Sequence, residues 1–142
     1  AGKRDKNINY ILNSVSEMNQ ILKDKNIQFV VAIYPDEFQV NPKLFNQVIE
    51  EFELNPNKYQ INCMQNILKQ HLEAQNIPYI DFLDRFKTEQ QKQHLYLLQE
   101  PHWNSAGNQL AAEILFENLR KNTDNYFKSL SDSNSPLKRT KN

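Results

Sequence analysis

The chain has 142 residues, and its 17 basic side chains balance 17 acidic ones. This length fits one domain with a sizeable core, and the zero net charge argues against nucleic acid or an anionic membrane as a partner. Cys63 is the only cysteine, which excludes an internal disulfide and argues against a cysteine-built zinc site. Gly2 and Gly107 are the only glycines, so glycine-rich phosphate loops and the Gly-x-Ser-x-Gly elbow are absent.

The first half of the chain predicts two helices around one strand. Apolar residues recur at three- and four-residue spacing over residues 8 to 25, after a possible cap at Asn7 and a frayed charged stretch at residues 3 to 6. Residues 27 to 34 are almost wholly apolar, which is typical of a strand covered on both faces of a parallel sheet. A shorter amphipathic helix is expected from Pro42 to about Phe52.

The second half repeats this alternation. We expect a helix over residues 58 to 75, a strand over 77 to 82, a brief helix ending at Phe86 and a polar surface segment. Residues 94 to 98 are expected to form either a last short strand or an extended approach to Glu100. Asn104 is placed to cap a final helix that ends near Lys121. Gly107 near the start of that helix indicates a close approach of another backbone or of a ligand.

This order of elements predicts an α/β domain with a parallel sheet. Residues 1 to 122 are expected to form that single domain, and residues 123 to 142 a disordered tail. Ligands of open α/β sheets gather beyond the carboxyl ends of the strands. The segment from Pro35 to Val40 should therefore lie near any site, with its carboxylates as candidates by position only.

Membrane features are absent from the pattern. The longest wholly apolar run, residues 29 to 34, is far below the ~20 residues of a membrane span. Residues 1 to 20 also lack the apolar core of a secretory signal. We expect no membrane contact from this chain, and the sequence leaves its compartment open.

Glu100 and His102 flank Pro101 directly before the last predicted helix. A histidine acts as a general base when one ring nitrogen reaches the proton and an acid holds the other. Side chains two positions apart in an extended segment point to the same face, and proline favours extended geometry in the residue before it. The pair can form a pre-oriented unit or an ordinary surface loop. A metal set that adds His94 matches no familiar spacing.

The block from Glu100 to Ala111, EPHWNSAGNQLA, resembles the terminal block of the SGNH (GDSL-like) hydrolases. The likeness is to the subgroup akin to polysaccharide O-acetyltransferases, where Asp-x-His-Trp precedes an Ala-rich helix. The two long predicted strands are also similar to strands of that family. The resemblance implies a three-layer flavodoxin-like parallel sheet, with His102 as general base and Glu100 in place of the aspartate. It further implies no cofactor, an acylated carbohydrate as substrate, and an extracytoplasmic parent protein.

One part of the family's pattern is missing. None of the serines follows a strand in a Gly-Asp-Ser setting, and the Gly-x-Asn oxyanion elements are absent. We therefore expect the C-terminal portion of an SGNH-like domain that is inactive alone. A missing N-terminal portion or a second copy of the chain would then complete its sheet. The alternative is a non-catalytic α/β binding module with the same fold.

Overall fold

A computed structural model describes residues 3 to 98 and 100 to 122. These residues belong to two compact units: Val30–Asn118 forms one, and the other comprises the residues up to Phe29 and from Leu119 onward. The elements in chain order are α1 (Lys3–Asp24), β1 (Val31–Ile33), α2 (Glu37–Val40), α3 (Pro42–Glu51), a 3₁₀ turn (Pro56–Lys58), α4 (Cys63–Ala74), β2 (Tyr79–Asp81), α5 (Leu83–Gln90) and α6 (Ser105–Lys121). The expected single domain stays a prediction, and the expected tail lies outside the described residues.

The first helix is longer than the sequence predicted. It begins at Lys3, so the frayed start and the cap at Asn7 were wrong, because lysine and arginine are good helix formers and nothing there breaks a helix. Its end is close to the predicted one. Asn26 adopts a left-handed φ of 56°, and the Ile27 amide donates to the Leu22 carbonyl at 2.9 Å. Asparagine tolerates this conformation, which closes the helix.

The two strands pair in parallel, and both are shorter than predicted. Val31 lies opposite Tyr79, and Ile33 lies opposite Asp81. The expectation that the first strand is covered on both faces was wrong, since Ala32 is exposed. The face that carries Ile33 is buried, whereas the face that carries Ala32 is open. Within the described residues β1 pairs with β2 alone, so its outer edge is also unpaired.

The last predicted strand forms a tight hairpin instead. Tyr96 and Trp103 make an isolated antiparallel bridge, in which the Leu97 amide donates to the His102 carbonyl at 2.9 Å and the Asn104 amide donates to the Leu95 carbonyl at 2.9 Å. The two arms that make these bonds therefore run in opposite directions. The segment therefore pairs with its own continuation and not with β2.

Several helices begin or end at residues other than the predicted ones, because local capping and turns set these boundaries. The unpredicted α2 begins with a capping box, in which Asp36 accepts from the Phe38 amide and Gln39 accepts from the Asp36 amide. Helix α4 begins at Cys63, later than expected, because the 3₁₀ turn and the extended Tyr59 precede it. Helix α5 extends past its predicted end. Helix α3 begins at Pro42 as predicted.

The core of the larger unit joins α6 to β2, α2, α5 and the hairpin. Its buried cluster consists of Val40, Ile80, Phe82, Phe86, Leu95, Tyr96, Leu110, Ala111 and Ile114. On the opposite face of β2, Lys69 of α4 forms an ion pair with Asp81 at 2.8 Å, and this hydrogen bond raises the pKa of Lys69. Helices thus contact both faces of β2. Among the described helices none is both long and apolar enough to cross a membrane.

The predicted close approach at Gly107 is confirmed, and the group that approaches it is a backbone carbonyl. A Cβ at this position would collide with the Leu95 carbonyl oxygen and lie 3.0 Å from Trp103 Cβ. The first turn of α6 can therefore lie directly against the hairpin. Only glycine permits this contact without moving one of the two.

We expect Gly107→Ala to lower the free energy of unfolding by about 1–3 kcal/mol through overpacking. Alanine normally stabilises a helix over glycine by ~1 kcal/mol. A lower free energy of unfolding in Gly107→Ala would therefore indicate the collision with the hairpin. The exposed Ala112→Gly in α6 measures that intrinsic preference in the same helix. Urea unfolding at pH 7 gives both values, and a stabilised Gly107→Ala would contradict the packing described here.

Tyr96 ties the hairpin to the end of β1. Its buried hydroxyl donates to the Pro35 carbonyl at 2.8 Å, and burial raises the pKa of Tyr96 well above its ordinary value. The unfolded chain therefore ionises first as the pH rises. The stability contributed by neutral Tyr96 is complete below about pH 10 and is lost above it.

We expect Tyr96→Phe to lower the free energy of unfolding by about 1–3 kcal/mol at pH 7, because the buried Pro35 carbonyl loses its donor. The same variant should lose less stability than the wild type between about pH 9.5 and 11, since it lacks this titration. Urea unfolding across that range tests both effects. The exposed Tyr59→Phe is the matched control. If wild type and Tyr96→Phe lose equal free energy of unfolding between about pH 9.5 and 11, the predicted pH effect is refuted.

Candidate functional site

The loop that carries His102 is fixed at its base by Asn104. The Asn104 side chain accepts from the Gly107 amide at 3.0 Å and so caps α6, as predicted. Its amide group donates to the His94 carbonyl at 2.7 Å and to the Tyr96 carbonyl at 3.3 Å. One side chain thus ties the first arm of the hairpin to the start of the helix.

Glu100 and His102 lie together at the tip of this loop. His102 Nδ1 is 3.3 Å from Glu100 Oε2, just beyond the usual range of an N–H···O bond. The His102 side chain is 76% exposed and that of Glu100 is 58% exposed. Exposed ion pairs contribute only about 0–1 kcal/mol, so the loop, and not this contact, sets the position of the two groups.

Trp103 anchors the histidine loop to the aromatic core. Its ring lies 5.2 Å from that of Phe86 and 6.3 Å from that of Phe82, both in the core. On its other side it meets Tyr34 edge-on at 5.3 Å. Because Tyr34 follows β1 directly, the histidine loop lies at the carboxyl end of that strand, where ligands of α/β sheets bind.

Two grooves meet at this loop. The first, of about 880 Å³, is lined by Tyr34, Pro35, Asp36, Gln39, Ile61, Met64, Gln65, Leu68, Pro101, His102, Trp103 and Asn108. We call it the histidine groove. The second, of about 850 Å³, is lined by Glu100 and Pro101 together with Asp36, Glu37, Phe38, Asn41, Lys43, Leu44, Gln47, His94, Tyr96, Leu97 and Leu98. The acid and the histidine therefore open onto different grooves, with Pro101 between them.

A cluster of amide side chains lies at the wall of the histidine groove. Gln39 Nε2 donates to Gln65 Oε1 at 2.7 Å, to Asn62 Oδ1 at 3.0 Å and to the Ile61 carbonyl at 3.1 Å. Gln65 itself is only 7% exposed. Sequence reasoning missed this cluster. The Asp-x-x-Gln spacing of the capping box was its one readable signal.

The other sequence candidates have other roles or places in the fold. Asp36 lines both grooves, in agreement with its expected position near the site, but its carboxylate caps α2. Ser105 is the first residue of α6, and His71 is half-buried on α4. Over residues 3 to 98 and 100 to 122, no three His, Cys, Asp or Glu side chains cluster closely enough to hold a metal ion.

Comparison with known families defines the class of protein. A histidine loop at the carboxyl end of a parallel strand, directly before a long helix, fits the SGNH hydrolase-like class, and a family model confirms it. The model for the SGNH hydrolase-like domain of the acetyltransferase AlgX matches residues 2–139. The chain therefore belongs to the AlgX family of SGNH hydrolase-like domains. Searches of the curated proteins and of the solved structures found no match.

We expect Asn104→Ala to lower the free energy of unfolding by about 1–3 kcal/mol, because it removes a helix cap and two donors to the hairpin. Asn104→Ser keeps the capping oxygen but is too short to reach the hairpin carbonyls, so it should recover only part of the loss. Amide hydrogen exchange at Leu97, inside the hairpin, should accelerate in both variants. Unchanged exchange would show that Asn104 does not hold the loop.

Proposed function

We propose that this chain supplies the general base and the acid of an SGNH-type acyl-transfer site. The observation that carries the proposal is the 3.3 Å contact between His102 Nδ1 and Glu100 Oε2 at the rim of an open groove. A carboxylate on Nδ1 leaves Nε2 as the basic nitrogen and stabilises the imidazolium that forms. Membership of the AlgX family supports acyl transfer as the reaction class.

The proposed chemistry runs through a serine ester. Nε2 of His102 takes the serine proton as the serine oxygen attacks the acyl carbonyl, and the resulting imidazolium returns that proton to the leaving alkoxide. The acyl group then passes from serine to water or to a carbohydrate hydroxyl. His102 removes the proton of this acceptor and returns it to the leaving serine oxygen. Glu100 holds the ring throughout and does not itself become protonated. None of these steps uses a cofactor.

The nucleophile is proposed to come from outside these 142 residues. The sequence contains serines at positions 14, 16, 105, 129, 131, 133 and 135, none in a Gly-Asp-Ser setting. The unpaired outer edge of β1 supports further strands there, and exposed Ala32 supports a further layer on that face, as in a three-layer sheet. A further portion of the same protein or a second copy of the chain would supply them. An acylated carbohydrate is the proposed substrate, and the parent is proposed to act outside the cytoplasm.

We expect the purified 142-residue chain to show no His102-dependent hydrolysis of p-nitrophenyl acetate. In the protein encoded by the whole reading frame, His102→Ala and Glu100→Gln should each lower kcat by about 10²–10⁴-fold, as loss of a general base or its orienting acid does. His71→Gln, a histidine on α4 away from both grooves, is the matched control. Initial rates with p-nitrophenyl acetate and with an O-acetylated saccharide give the comparison.

Two results would overturn the proposal. Turnover by the 142-residue chain that disappears in His102→Ala would mean that it contains its own nucleophile. Equal activity of His102→Ala and wild type in the whole protein would favour the non-catalytic binding module, which keeps the fold without the chemistry.

A further inference from the structure

One buried polar group next to the histidine groove has no hydrogen-bond partner in the described structure. It is Nε2 of Gln65, an amide nitrogen in a side chain that is otherwise hydrogen-bonded. Buried polar groups in proteins are nearly always paired, so an exception requires a reason. Gln65 lines the same groove as His102, which suggests a bound ligand as that reason.

The orientation of the Gln65 amide is fixed by its neighbours. The Asp36 backbone amide donates to Gln39 Oε1 at 2.9 Å, so Gln39 must turn its Nε2 toward Gln65. That nitrogen donates to Gln65 Oε1 at 2.7 Å. Reversing Gln65 would set two N–H groups against each other. The backbone of the α2 capping box therefore holds Gln65 Nε2 in place as a donor.

The unpartnered group defines the chemistry of its ligand. An amide N–H₂ is a donor only, so it requires an acceptor such as a carbonyl oxygen. Held away from bulk water, a hydrogen bond to such an oxygen is stronger than in solution. The wall beside Gln65 is apolar, formed by Ile61, Met64 and Leu68, and would accommodate a small acyl methyl group next to the carbonyl.

We propose that Gln65 Nε2 binds the carbonyl oxygen of an acyl ester in the histidine groove. Because this nitrogen is closed to solvent in the free chain, the ester must displace a neighbouring side chain to reach it. This inference rests on the proposed function for the identity of the ligand as an ester. The same donor stabilises negative charge on that oxygen when a nucleophile attacks the carbonyl. The ring of Tyr34, which is 66% exposed at the rim, offers an apolar surface to the alcohol part of the ester. Gln65 is thus a substrate-binding residue of the site.

Gln65→Leu separates binding from folding. It removes the donor with little change in side-chain volume, and the two protons of Gln39 Nε2 keep two acceptors, Asn62 Oδ1 and the Ile61 carbonyl. The variant also eliminates a buried unpaired group, so its Tm should equal or exceed that of the wild type. Gln70→Leu, an exposed glutamine on the same helix, is the matched control.

The test measures binding of methyl 6-O-acetyl-α-D-glucopyranoside to the 142-residue chain by NMR titration, with methyl α-D-glucopyranoside as the unacetylated comparison. We expect Gln65→Leu to weaken binding of the ester about tenfold, the effect of losing one hydrogen bond, and to leave binding of the unacetylated glycoside unchanged. In the wild type, the Gln65 side-chain amide resonances should shift with the ester only. Gln70→Leu should bind both probes as the wild type does.

Several outcomes would overturn the assignment: no binding of the ester by the wild type, equal affinity in Gln65→Leu, or a lowered Tm with unchanged affinity, which is a purely structural role. If Gln65→Leu does not fold, the wild-type amide resonances decide the matter, and their failure to shift rejects the proposal. The readout needs no nucleophile. A failure of His102-dependent turnover is therefore distinguishable from a failure of ester binding at Gln65.

Discussion

The contact between the first turn of α6 and the hairpin is the constraint on which the site depends. Gly107 lets the Leu95 carbonyl approach the helix, while Asn104 caps that helix and bonds two carbonyls of the first hairpin arm. Trp103, between them, is pressed into the aromatic core. The position of His102 is therefore set by buried packing and backbone hydrogen bonds, which survive changes in salt and pH better than the exposed ion pair at the loop tip does.

The two halves of the acid and histidine pair have different surroundings. His102 borders a groove with an amide cluster at its wall, and Glu100 borders a groove lined by both charged and apolar side chains, among them Lys43 and Leu97. In water their attraction is weak. When substrate or a further portion of the protein excludes solvent from the loop, the effective dielectric falls and the same geometry acts more strongly on the ring. The positions of the two groups are thus set in advance, and the strength of their attraction depends on whether solvent is excluded from the loop.

Sequence patterns anticipated the elements whose signals are local. The apolar spacing of α3 and α6, the cap at Asn104 and the tight approach at Gly107 follow from side chains acting within a few residues. The limits of β1 could not be predicted in this way. An apolar run such as residues 27 to 34 indicates burial, but it does not indicate which of its residues pair with another strand. Gln65 was also unreadable, since a buried glutamine on a helix resembles a solvated one until Gln39, far away in sequence, is placed beside it.

The parallel register between β1 and β2 also bears on how the chain acquires this structure. Val31 and Tyr79 are separated by roughly fifty residues, so their pairing must first overcome the entropy of closing a long loop. The hairpin from Leu95 to Asn104 and the turn of α6 that follows it involve near neighbours and close quickly. The contacts within the histidine loop are therefore expected to close sooner than the strand pair. The loop gains its fixed position only when Trp103 packs on Phe82 and Phe86, so the base is completed together with the core.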